Sequence, residues 1–185
     1  KNVMNIDKKY YQVIRENLNN TIQDTNIHVQ NKQVGKVRDA YFLDDKVLMV
    51  STDRQSAFDR VLARIPYKGA VLNLVSAWWF EKTKDQFPNH LISTPDPNIS
   101  LVEKCDVFQV EFVVRGYITG STETSLWTVY KNGAKEYCGN PIPSGLKKNQ
   151  KLGEPMLTPT TKDKVHDRPV SKDEILEDFC SFGVN

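Results

Sequence analysis

The sequence predicts an α+β fold, built as one good-sized domain or as two small lobes sharing a cleft. Two runs of strand character, residues 34–42 and 46–51, flank Asp44-Asp45 and read as an antiparallel hairpin. Apolar residues recur at helical spacing on either side of it, at Tyr10, Val13, Ile14 and Leu18 and again at Val71, Leu74, Val75, Trp78 and Trp79. Beyond these, VFQVEFVVRGYITGS (Val107 to Ser121) alternates with the period of a strand. At 185 residues and 39% hydrophobic content, the chain is long enough to bury a core.

Each element has a local reason. The first helix follows Asp7, a side chain suited to accept from the free N–H groups of a first turn. The second strand of the hairpin, KVLMVS, is apolar enough to be buried on both faces. The second helix runs from about Gly69 to Lys84, and its tryptophans are expected in the core, because a pair at this spacing usually buries area against a sheet. Residues 87–100 are rich in proline, asparagine and aspartate and read as a surface connection leading to the Val107 strand. On that strand Phe108, Val110, Phe112 and Val114 share one face, and Gln109, Glu111, Val113 and Arg115 the other. Glu111 and Arg115 would stand roughly 13 Å apart at about 3.3 Å per residue, so each needs its own partner.

Composition excludes several classes. A formal charge of +2, with cations and acids interspersed, does not favour nucleic acid as a partner. The apolar runs are too short to span a bilayer, and KNVMNIDKKYY lacks the apolar core of a secretory signal. Cys105, Cys138 and Cys180 are widely spaced and form no C-x-x-C pair, which argues against a disulfide framework or a zinc site and for a reducing cytoplasm.

Four segments carry candidate chemistry. The 107–121 strand runs into Gly116, Thr119, Gly120 and Ser121, a loop that could hold an anion beside Arg115; a charged edge strand followed by a turn accounts for the same pattern. Gly35-Lys36-Val37-Arg38-Asp39 sits within the first strand of the hairpin, where glycine allows close backbone approach and two cations at i and i+2 share a face. That suits a polyphosphate, although neither P-loop nor G-x-G-x-x-G spacing is present and a solvated hairpin with alternating charge fits as well. STDRQSAFDR (Ser51 to Arg60) puts hydroxyls, aspartates and arginines in one loop after a buried strand; a capping box from Ser56 to Asp59 would explain part of it. LTPTTKDKVHDRPVS (Leu157 to Ser171) is a polar segment bracketed by prolines, with Lys162 as a carboxylate binder and His166-Asp167 as a pair that could orient substrate. No G-x-S-x-G elbow is present, which argues against a serine hydrolase.

The ordered blocks GKVRDAY, STDRQSAFD, EFVVRGYITGS, IPSGLKKNQKLGEP and LTPTTKDKVHD resemble the SAICAR synthetase family (phosphoribosylaminoimidazole-succinocarboxamide synthases), in its yeast form more than its shorter bacterial one. The resemblance runs from about Gly35 to Ser171. It implies a two-lobed α+β fold, with an antiparallel-sheet lobe covering ATP over residues 1–105 and the start of a substrate-binding lobe over 106–185. It implies an ATP- and Mg2+-dependent ligase that joins L-aspartate to carboxyaminoimidazole ribonucleotide (CAIR). On the same ground Gly35, Lys36, Val37 and Arg38 would cover the ATP phosphates, while Asp106, Phe108 and Glu111 would read the adenosine. Arg115 and Ser121 would grip the ribonucleotide, and Asp53, Arg54 and Ser56 would line its imidazole. Lys162 and Asp167 would stand at aspartate, and Lys36, Asp53 and Arg115 are the residues expected to bear on the chemistry. The family's later acidic blocks, expected to hold magnesium, are not in this sequence, so the chain reads as a C-terminally truncated form with metal ligands unassigned. A homo-oligomer, and a non-catalytic nucleotide-binding fragment as an alternative, complete the expectations.

Overall fold

The computed structural model describes residues 7–29, 31–57, 60–162 and 167–178. The chain divides into two compact units, Lys1–Cys105 and Asp106–Asn185. His166, Asp59 and Cys180, named above, lie outside the described residues, as does the end of the chain from 179.

The first unit runs α1 (Lys8–Asn17), β1 (Asn31–Val34), β2 (Arg38–Phe42), β3 (Lys46–Ser51), β4 (Arg54–Ala57), β5 (Arg60–Arg64), α2 (Lys68–Thr83), β6 (Leu91–Asp96) and β7 (Ile99–Glu103). Asp7 caps α1 as expected, accepting from the Lys9 N–H. Five strands form an antiparallel sheet in the order β1-β2-β3-β7-β6. The hairpin β2–β3 closes at the expected place, with the Leu43 N–H donating to the Lys46 carbonyl at 2.9 Å. Tyr41, Val47, Val50 and Val102 are buried in this sheet, around the central strand.

Four sequence expectations are corrected in this unit. Gly35, Lys36 and Val37 do not lie within a strand but form the turn between β1 and β2, whose register pairs Val34 with Asp39. Residues 51–57 are not a loop starting a helix: β4 pairs with β5 in a separate hairpin, and Ser56 sits in that strand. Residues 87–100 are not a plain connection, because β6 and β7 form a hairpin of the main sheet. Pro95 is tolerated there because β6 is an edge strand, where a missing N–H breaks no ladder on the outer side.

The fourth correction concerns α2. Trp78 and Trp79 are 52% and 56% exposed, not core. The helix packs on the sheet through Gly69 and Asn73. A Cβ at Gly69 would stand 2.2 Å from the Ser51 carbonyl oxygen, so only glycine lets the first turn approach β3 so closely. Asn73 donates to the Pro97 carbonyl at 3.0 Å and accepts from Ser100 Oγ at 2.8 Å. Trp78 lies about 140° round the helix from Asn73, which turns the aromatic stripe away from the sheet.

The second unit contains β8 (Val110–Glu111), β9 (Val114–Tyr117), α3 (Leu126–Lys131), β10 (Glu136–Tyr137), β11 (Asn140–Pro141), β12 (Lys151–Leu157), β13 (Thr160–Thr161) and α4 (Lys172–Glu177). Its core gathers Ile118, Leu126, Tyr137, Ile142, Leu152 and Met156, with a smaller cluster of Val110, Val170 and Ile175. The expected single strand from Val107 is interrupted. β9 pairs with β12 and β8 with β13, in a register that joins Leu157 to Val114 and Thr160 to Glu111 and so sets Pro159 against Phe112. Proline has no N–H to offer the ladder, and pairing lapses there. Of the four apolar residues read onto one face, only Val110 is buried; Phe108, Phe112 and Val114 are exposed. Among the described residues no helix is long and apolar enough to cross a membrane.

Candidate functional site

In the first unit, the turn between β1 and β2 is held from beneath. Arg54, 5% exposed, donates from Nη2 to the Gly35 carbonyl at 3.1 Å and from Nε to the Lys36 carbonyl at 3.3 Å. Its Nη1 donates to the Gln23 carbonyl at 2.6 Å, and Nη2 also reaches Asp39 Oδ1 at 2.6 Å. The next carbonyl, that of Val37, accepts from both the N–H and the hydroxyl of the buried Thr52, at 3.0 and 2.8 Å. The Gly35 N–H closes the turn on the Arg38 carbonyl at 2.8 Å, and a Cβ on Gly35 would lie 2.7 Å from that oxygen. Val37 and Arg38 border a cavity of about 270 Å³ beside α2, together with Met49, Leu72, Phe80 and His90.

Asp39 is fully buried and anchors this arrangement. Burial alone would raise its carboxyl pKa, but hydrogen bonds from Arg54, Thr25 and Lys32 outweigh that and hold it below its ordinary value. The Thr25 hydroxyl donates at 2.6 Å and Lys32 Nζ stands 3.2 Å away. Asp53 is also buried, and its two carboxylate oxygens accept from the backbone N–H groups of Ile22 at 2.8 Å and Gly69 at 2.9 Å. Tyr67, the residue before α2, offers no side-chain cap, so Asp53 supplies one from a distance. Asp53 and Arg54, expected at the imidazole of a substrate, are thus engaged in holding α2 and the turn. Ser56 is half-buried on β4.

In the second unit, Glu111, Val113, Arg115, Ser121 and Asp167 line one cavity of about 460 Å³, with Thr160 and Tyr137 among its other walls. The alternation read from the sequence survives here, since Glu111, Val113 and Arg115 do face a common space. Arg115 Nε donates to Thr158 Oγ1 at 2.9 Å, and that fully buried hydroxyl in turn donates to the Val113 carbonyl at 3.1 Å. One side of the guanidinium is thereby fixed by a neutral partner, which leaves its charge uncompensated by Thr158. Gly120 holds φ at +111°, and a Cβ there would stand 2.3 Å from Ser125 Cβ, so glycine is required for the backbone to pass this close.

Glu111 and Arg115 have separate partners, as their spacing required. Glu111 Oε2 receives a short hydrogen bond from Lys162 Nζ, and Asp167 Oδ2 lies 3.6 Å from the same ammonium. The hydrogen bond to Glu111 raises the Lys162 pKa. Glu111 and Lys162, expected at different ligands, are therefore direct partners. Asp106 and Phe108 are exposed, at the start of this unit and outside its strands.

Sequence reasoning passed over Thr158 and Thr52. Both sit in the very blocks singled out, but a threonine carries no charge to attract notice and its value depends on burial. Among the described residues no three His, Cys, Asp or Glu side chains cluster as a metal site would require.

Comparison with known proteins bears on both sites. The family model described as SAICAR synthetase matches residues 31–181. The phosphoribosylaminoimidazole-succinocarboxamide synthase of Legionella pneumophila (strain Lens) is 59% identical over 155 residues, covering 84% of this chain and 50% of the relative. A solved structure of SAICAR synthase from Saccharomyces cerevisiae, complexed with SAICAR, superposes with a TM-score of 0.73 at 31% identity, over 84% of this chain and 58% of that one. A type-2 SAICAR synthetase in complex with ADP gives a TM-score of 0.59 at 25% identity, over 84% of this chain and 65% of that one. The chain thus spans about half the length of the curated relatives it matches. With both the pinned turn and the arginine-lined cavity inside the matched span, the chain belongs to the SAICAR synthetase family.

Proposed function

We propose that this chain carries the nucleotide-covering and ribonucleotide-binding parts of an ATP-dependent ligase joining L-aspartate to the carboxylate of CAIR. The carrying observation is the second-unit cavity, where Arg115, Ser121 and the Gly120 backbone meet the carboxylates of Glu111 and Asp167, both of which pair with Lys162. A carboxylate acylates poorly, so ATP would first transfer its γ-phosphoryl group to it, giving an acyl phosphate and ADP. The aspartate amine then attacks the acyl carbon, phosphate leaves, and the amine's proton is lost as the amide forms. Such a reaction must gather several anions, which accounts for a cation, Arg115, held by a neutral hydroxyl.

In this reading Gly35 to Arg38 cover the ATP phosphates, Arg115 and Ser121 bind the ribonucleotide phosphate, and Lys162 with Asp167 stands near aspartate once Glu111 releases the ammonium. Asp106 and Phe108 contribute to the adenosine side, and Ser56 is the member of its block with a side chain able to reach a ligand. Asp53 and Arg54 support rather than touch the reacting groups. A reducing compartment, the cytoplasm, suits the free thiols of Cys105 and Cys138. Magnesium would enter with the nucleotide, and its protein ligands are left unassigned among the described residues. The chain spans about half the length of its curated relatives, which leaves one second reading, a nucleotide-binding piece without ligase activity. ADP release by this chain with ATP and magnesium, in the presence of CAIR plus aspartate and of each alone, tests the two. Release that requires both substrates supports the ligase; ATP binding without release supports the second reading.

A further inference from the structure

We infer that Arg54 is a positioning residue for nucleotide: its buried guanidinium fixes the Gly35–Arg38 turn in the shape that presents backbone N–H groups to phosphate. This inference rests on the proposed role of the turn in covering ATP. A two-strand turn closed by the Gly35 N–H to Arg38 carbonyl bond needs no further support, yet this one receives a guanidinium with almost no exposure to solvent. Burying that charge is costly unless nearly every donor is matched. Here the match is made by the Asp39 carboxylate, by the Gln23 carbonyl and by the carbonyls of the turn itself.

The consequence follows from peptide planarity. In a trans peptide the C=O and the following N–H point in opposite directions. With the Gly35 and Lys36 carbonyls drawn onto Arg54, the N–H groups of Lys36 and Val37 are turned away from the guanidinium. With the Val37 carbonyl drawn onto Thr52, the Arg38 N–H is turned the same way relative to Thr52. The adjacent N–H groups of Lys36 and Val37, both turned away from the guanidinium, are the pair that can face an anion together. Asp39 anchors the strut and Arg38 begins the adjoining strand, so the turn and its support form one unit.

The test compares the wild-type chain with Arg54→Lys, which keeps a cation for Asp39 but cannot span both turn carbonyls. Amide exchange at Gly35 and Thr52 should rise about tenfold in the variant, the loss expected from one or two charge-assisted hydrogen bonds, while amides at Val47 and Val102 stay protected. Affinity for ATP and ADP, by calorimetry, should weaken about tenfold while AMP changes less than twofold, because only the phosphates beyond the first depend on the turn. Unchanged exchange at Gly35 and Thr52 overturns the strut, and raised exchange with unchanged ATP affinity overturns its role in binding. A uniform loss for ATP, ADP and AMP also counts against it. If Arg54→Lys does not fold, the pair Arg54→Met with Asp39→Asn removes both charges without stranding either and is read in the same way. A wild-type chain that fails to prefer ATP over AMP sinks the phosphate-covering reading itself, and the exchange measurement still decides whether Arg54 holds the turn.

Discussion

A carboxylate with no solvent contact survives only among donors, and Asp39 has them in Arg54, Thr25 and Lys32. Its folded pKa is depressed below 3.8, so its stabilising contribution is complete above that value and is lost as the pH falls through the lower, folded one. Melting temperature should therefore fall on acidification below about pH 4, and Asp39→Asn should flatten part of that fall. At neutral pH the same substitution should destabilise by about 3 kcal/mol, since it leaves Arg54 buried without its anion. At the other site, Arg115→Ala should weaken CAIR binding far more than ATP binding, and equal loss of both would count against its role. Thr158→Val keeps the volume but removes the acceptor for Arg115, so it should weaken CAIR roughly tenfold with little change in ATP affinity. Residue types were legible here in a limited sense: charge drew attention to Arg54, Arg115 and Lys162, but whether each faces ligand or protein depends on burial, which no short block encodes.

Secondary structure was legible wherever a local rule and the tertiary environment agree. Asp7 before α1 and the Asp44-Asp45 turn were read correctly because capping and hairpin closure involve neighbours in sequence. The break between β8 and β9 was not, because its cause is Pro159, more than forty residues away on the partner strand. The β6–β7 hairpin was hidden by its proline, which is acceptable only at an edge that sequence does not reveal. For α2 the pattern was real but its direction was wrong: Gly69 and Asn73, not the tryptophans, meet the sheet. Trp78→Ala or Trp79→Ala should accordingly cost under about 1 kcal/mol in chemical denaturation, against about 3–5 for a core tryptophan. Acrylamide should quench both side chains efficiently in the wild-type chain. In α4, Ser171 and Glu174 form a reciprocal capping box, and Ser171→Ala should reduce stability by about 1 kcal/mol.

Each unit of the molecule has its own apolar centre, one on the five-stranded sheet and one around Ile118 and Leu126. The chain passes from the first to the second through residues 104–109, all exposed and outside any strand or helix. A protease needs such a segment, because it must draw an extended stretch of backbone into its own site. Trypsin has a target there in Lys104. Among the described residues, the Lys36 turn is pinned by Arg54, and Lys147 sits in a turn closed by Gln150 through both backbone and side chain. The first cut under limiting trypsin should therefore fall after Lys104 and release fragments of residues 1–104 and 105–185, seen by mass spectrometry. Both should persist well beyond the first cut, since cleavage removes no part of either core. A first cut elsewhere, or fragments that vanish as fast as they form, would mean that the two units depend on one another for stability. In that case nucleotide and ribonucleotide binding could not be assigned to separately folded halves.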